Sequence, residues 1–116
     1  DPAQIEHMVS FDSLSFEVSD GSKRLTLTMI RLDSDGAASD RMELMVAEGP
    51  PLEHFAEPIG DTSGFIDANE GGIGSMVAFK KGVWVVMVHT AQSSGVAPLL
   101  DVSGVETLAR LVAERL

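Results

Sequence analysis

The sequence predicts an α+β domain: an antiparallel sheet of four or five strands, in ββα-ββα order, with two helices packed on one face. Three observations predict it. Two alternating runs, Phe11 to Val18 and Arg24 to Leu32, flank the turn-forming Asp20-Gly21-Ser22. Two apolar runs, Gly74 to Phe79 and Val83 to His89, are joined at Lys80-Lys81-Gly82. Each pair is followed by a stretch whose apolar residues recur at helical spacing, and strand pairs with amphipathic helices bury their apolar faces by layering.

In the first pair, Leu14, Phe16 and Val18 fall on one side of an extended backbone and Ser13, Ser15 and Glu17 on the other, the pattern of a half-buried strand. Leu25, Leu27 and Met29 oppose Thr26, Thr28 and Ile30 in the same way, and aspartate and glycine tolerate the backbone angles of a tight hairpin between them. Residues 1–10 read as a tail or short helix. From Ser34 the period changes: Ala38, Met42 and Met45 recur at intervals of four and three, so Ser34 or Asp35 caps a helix to about Glu48, ended by Gly49-Pro50-Pro51. A strand over Met42 to Ala47 is the alternative, because Arg41-Met42-Glu43-Leu44 alternates briefly.

Residues 52–73 are rich in Gly, Pro, Asp and Glu, with one apolar pair, Phe65-Ile66, fit for an edge strand. Val83 to His89 is apolar on both faces and therefore central. The closing helix, Ser103 to Leu116, opens with Ser103-Gly104-Val105-Glu106, a capping box, and sets Val105, Leu108, Ala109, Val112 and Leu116 on one face. The strand-strand-helix order occurs twice, as repeated architecture without a repeated residue pattern.

Length and composition bound the rest. At 116 residues and 44% hydrophobic content the chain, residues 1–116, is one domain with one core. A net charge of −10, from 8 basic against 18 acidic residues, repels nucleic-acid phosphates and anionic lipids and favours a basic or cationic partner, protein or small ligand. The chain has no cysteine, which removes thiolate catalysis, zinc–thiolate sites, iron–sulfur clusters and disulfides. No stretch approaches the ~18 consecutive apolar residues of a membrane span. The chain opens Asp1-Pro2-Ala3 without an initiator methionine, as expected of a fragment whose leader or anchor lay upstream.

Ile30-Arg31-Leu32-Asp33-Ser34, the Pro58-Ile59-Gly60-Asp61 turn, the Phe79-Lys80-Lys81-Gly82 hairpin leading into Val83 to Val88, and Leu108-Ala109-Arg110-Leu111 follow in an order and spacing that resembles small extracytoplasmic α+β domains of bacterial lipoproteins and sensor-kinase ectodomains, loosely PsbP-like. The likeness covers residues 24–116. It implies an exported domain, secreted or lipid-anchored, that binds a partner or small ligand, and it brings no catalytic residues with it.

Chemistry-bearing motifs are sparse. Glu70-Gly71-Gly72-Ile73-Gly74 has the glycines of a phosphate loop but leads into a strand, without the lysine-serine pair that completes one. Asp67-Ala68-Asn69-Glu70-Gly71-Gly72 begins like a calcium loop, yet its twelfth position, Ala78, offers no side-chain oxygen. Asp33, Asp35 and Asp40 suit a helix N-terminus, and five of six methionines occupy apolar positions of predicted elements, leaving Met8 beside His7 as the one pair fit for copper. His7, His54 and His89 share no metal-ligand spacing, and no Gly-x-Ser-x-Gly elbow is present. The leading expectation is a non-enzymatic extracytoplasmic binding or interaction module without cofactor or metal. Its loops at 49–73 and 90–101 form the recognition surface, with Asp61, Asp67, Asn69 and Glu70 facing the partner. One alternative is a small enzyme or enzyme subunit with a site between the sheet and the 49–73 loop, using His54 or His89 with an acid; the other is a structural domain of a larger protein.

Overall fold

The computed structural model describes residues 7–48, 52–66, 73–92 and 100–116. Its elements are β1 (Met8–Glu17), β2 (Lys23–Leu32), α1 (Asp35–Glu48), β3 (Thr62–Ile66), β4 (Ile73–Lys81), β5 (Trp84–Gln92) and α2 (Val102–Glu114). All strand pairs are antiparallel, in the spatial order β1-β2-β5-β4-β3. The α+β class and the antiparallel sheet stand as expected. The order does not: a third strand, built around the apolar pair Phe65-Ile66, precedes the second hairpin and makes the sequence ββα-βββα.

The hairpins form where turn chemistry places them. Gly21 takes φ +73°, and the Asp20 carboxylate accepts from the Ser22 N–H at 2.9 Å. Gly82 takes φ +59° between β4 and β5, a region where a side chain is strained. β5 lies at the centre of the sheet, as its two apolar faces require. It joins the two halves of the sheet in an unbroken register from Lys23 opposite Gln92 to Arg31 opposite Trp84.

The helices lie on opposite faces, which corrects the expectation of one. On one face Ile30, Leu32, Ala78 and Val85 pack against Ala38 and Met42 of α1. On the other, Val77, Phe79, Val86 and Val88 pack against Val105, Ala109 and Ala113 of α2, with Ile59. The reason lies in β5: alternate residues of a strand point to opposite sides, so Val85 needs cover on one side while Val86 and Val88 need it on the other.

Helix starts are fixed by side-chain caps. Ser34 Oγ accepts from the Ala37 N–H at 3.0 Å, so Ser34 caps α1, and 42–47 is helix rather than the alternative strand. In α2 the cap is Asp101, whose Oδ1 accepts from the Gly104 N–H at 2.8 Å. Ser103, expected to cap, is inside the helix two residues later, because the aspartate before it is already extended and reaches the free N–H groups.

Candidate interaction surface

β1 forms an edge of the sheet, begins at Met8 rather than after a ten-residue tail, and contradicts the half-buried pattern its alternation predicts. Val9, Phe11, Leu14 and Phe16 are 54–56% exposed. Alternation identifies faces, but a face is buried only where something lies over it. α2 packs on β4 and β5, leaving the β1–β2 end of its face open. There Leu14 lies opposite Leu27, and Phe16 opposite Leu25. These residues, with Met29, form an apolar shelf in which Asp12, Leu14, Leu27 and Met29 border a cleft of 340 Å³.

The backbone of β1 has a defined outer side. Val18 N–H donates to the Lys23 carbonyl at 3.2 Å, which makes 18 and 23 a hydrogen-bonded pair in the register that continues through Phe16–Leu25 and Leu14–Leu27. Antiparallel pairs alternate between bonded and non-bonded, so Phe11, Ser13, Ser15 and Glu17 turn their N–H and C=O groups outward, to the side where the sheet has no further strand among the described residues. The side chains of this strand are already held at two points. Ser15 Oγ lies 3.1 Å from Thr26 Oγ1, and Glu17 accepts from Arg24 Nε at 2.7 Å and from its Nη2.

Of the residues expected to face a partner, only Asp61 lies within the described residues; Asp67, Asn69 and Glu70 lie outside them, as do the Gly49-Pro50-Pro51 stop and most of the calcium-like and glycine-rich loops. Asp61 belongs to a clamp. Its Oδ2 accepts from Lys80 Nζ at 3.1 Å and from the Gly82 N–H at 2.9 Å, while its own N–H donates to the Lys80 carbonyl at 2.8 Å. Lys80, only 4% exposed, reaches Asp35 Oδ2 at 3.1 Å with the same ammonium. The Gly82 N–H and then Lys80 hold the Asp61 carboxyl below its ordinary value of 3.8. Burial of Lys80 opposes its charge, but the hydrogen bonds and charges of Asp35 and Asp61 outweigh it and raise its pKa. Thus one expected partner-facing carboxylate instead ties β4 to the first turn of α1 and the loop entering β3. The local signal for this was Lys80 itself, a cation closing an apolar strand.

The histidines are far apart in role. His7 Nδ1 is 2.9 Å from Asp33 Oδ2, while the adjacent Met8 packs toward the α1 core, so the two side chains do not converge on one ion. His54 is exposed. His89 is half-buried beside Thr26 and Met76 on the α1 face; burial and then the positive charge of Arg24 lower its pKa, and its Nδ1 has no hydrogen-bond partner among the described residues. No group of three His, Asp or Glu side chains positioned to hold a metal occurs among the described residues.

A second cleft, of 270 Å³, lies between Pro58-Ile59-Gly60 and the end of α2. Both of its cations are engaged: Lys81 Nζ donates to the Ala113 carbonyl at 2.5 Å, and Arg110 donates to Glu106 at 2.8 Å and to the Glu57 carbonyl at 2.7 Å. With Glu114 on its wall and the negative end of the helix beside it, this cleft does not attract an anion.

Comparison of the chain with protein-family models, curated proteins and solved structures returned no match.

Proposed function

We propose that the chain is a non-enzymatic protein-interaction module, acting outside the cytoplasm, and that it binds through β1 and the shelf beside it. One observation carries this reading: a ten-residue edge strand exposes four large apolar side chains together with outward backbone donors and acceptors. An exposed strand edge is the template to which an extended segment adds, the main chain supplying affinity and alternate side chains specificity. The extracytoplasmic location rests on the family resemblance alone. The acidic-loop reading draws less support, since Asp61 Oδ2 already holds Lys80 and Gly82. The enzymatic alternative is served poorly by a His89 whose charged neighbour is a cation.

The test is selection of extended peptides from a displayed random library on the 116-residue chain and on Leu14→Ser/Phe16→Ser. Enrichment of peptides with alternating apolar residues on the native chain, lost in the variant while the fold is retained by circular dichroism, is expected. Equal enrichment on both, or none on either, refutes the reading.

A further inference from the structure

Building on the reading of β1 as an interaction strand, we infer that its partner is a second copy of this chain, paired antiparallel about a two-fold axis through Ser15 and perpendicular to the sheet. The argument comes from self-complementarity. A perpendicular axis keeps corresponding faces side by side, so each residue of β1 must lie opposite one of the same parity. Centring on Asp12 opposes two carboxylates, and centring on Leu14 sets Asp12 against Phe16 and Glu17 against Phe11. Centring on Ser13 puts Asp12 against Leu14 and brings both Asp12 side chains into one diagonal.

Centring on Ser15 leaves the mildest conflict, Asp12 of each copy opposite Val18 just past the end of β1. Leu14 of each copy lies opposite Phe16 of the other, so the two apolar shelves become one surface continuous with Leu25 and Leu27. On the reverse face Ser15 meets Ser15, and Ser13 meets Glu17, a residue whose charge is already answered by Arg24. The outward N–H and C=O groups of Ser13, Ser15 and Glu17 become bonded pairs. Phe11 falls beside Ser19 in the turn of the second copy.

The size of the patch sets the strength. In this register the apolar side chains that meet are Leu14 and Phe16; at ~200 Å² for a phenylalanine and somewhat less for a leucine, each about half exposed, they offer about 200 Å² of apolar surface per copy. Even with the strand backbones this stays below the size of standard specific interfaces, so the pairing is weak and concentration-dependent. The charge of −10 on each copy opposes it, and salt screens that repulsion. Self-pairing therefore strengthens as salt rises, opposite to capture of a basic partner.

Sedimentation equilibrium over a wide concentration range, at low and high salt, tests the pairing. The mass should rise from 12.3 kDa toward twice that value, and further at high salt. Because the chain has no cysteine, single cysteines report the register. A bonded antiparallel pair sets Cα atoms about 5.5 Å apart, within the range a disulfide spans. Ser15→Cys should oxidise to a covalent dimer well ahead of Ser13→Cys, and Leu14→Asp/Phe16→Asp should abolish the rise in mass. A Ser13→Cys preference overturns the Ser15-centred pairing. A chain that stays monomeric while still selecting peptides through β1 overturns the self-pairing and leaves the interaction module standing; a monomer that selects nothing removes both.

Discussion

The two edges of the sheet are built in opposite ways. β3 is short and covered: Glu53 exchanges hydrogen bonds with Phe65 at 2.9 and 2.8 Å, Leu52 lies against Gly64, the Phe55 ring sits 4.7 Å from Phe65, and the Arg110 guanidinium lies over the Phe55 ring at 5.5 Å. β1 is twice as long and has no comparable cover among the described residues. The difference teaches that this chain can close an edge with a few local residues and, among the described residues, does so at one end only. A bare apolar edge costs solubility and invites pairing, and its presence beside a protected one is the ground for the proposed association through β1.

The covered edge is the place for the largest effect. A Cβ at Gly64 would stand 2.7 Å from Leu52 Cβ and 3.1 Å from the Glu53 carbonyl oxygen, so Gly64→Val must force the cover off β3. Urea unfolding followed through Trp84 should show a loss of about 3 kcal/mol, the upper part of the overpacking range. Next comes the clamp that anchors the entry to β3. Asp35→Ala/Asp61→Ala leaves the Lys80 ammonium without either carboxylate and should cost about 2 kcal/mol, limited because both carboxylates already reach water. Either single replacement should cost clearly less, since the other carboxylate remains.

A matched pair of truncations sharpens the contrast. Phe65→Ala on the covered edge should cost about 2 kcal/mol, whereas Phe16→Ala on the bare one should cost under ~1 kcal/mol, because a side chain more than half exposed gives up little burial. Equal losses would mean that β1 is covered in solution. Proline carries the contrast to the backbone. Ser15→Pro removes an outward N–H and should abolish self-pairing with little loss of stability, while Leu14→Pro breaks the bond to β2 and should unfold the hairpin.

The smallest effect lies between the edges, at His89. Its folded pKa is lowered below 6.5 by burial and Arg24, so the neutral ring is the form the fold favours. That contribution is complete above pH 6.5 and is lost as pH falls through the unfolded value toward the folded one. Asp61 adds a separate loss further down, as pH falls below 3.8. His89→Gln should flatten the first decline in a chemical-denaturation series and leave the second in place.

Much of the frame was legible in the residues. Asp20-Gly21-Ser22, Gly82 and the doubly apolar Val83 to His89 located both hairpins and the central strand, because turn angles and alternation are local properties. What depended on contact between distant segments was not. Ile30 and Val85 need α1 on one side, and Val86 and Val88 need α2 on the other, yet periodicity alone assigns no helix to a face. Leu14 and Phe16 read as the covered side of a half-buried strand because the pattern cannot show where a helix stops. Asp61 read as a free acidic residue because its partner, Lys80, lies 19 positions away. The cover on β3 likewise joins Leu52 to Gly64 across a loop with no strand pattern of its own.

The seam between β2 and β5 bears on how the molecule comes off the ribosome. On the side away from β1, Lys23 to Arg31 find their neighbours only in residues 84 to 92, so the first hairpin is made with both flanks open and waits for most of the remaining chain before one is closed. Synthesis at about 5–20 residues per second sets that wait at several seconds, during which nascent chains can stick to one another or to a chaperone. Translation speed over the stretch encoding residues 32 to 92 thus bears on yield.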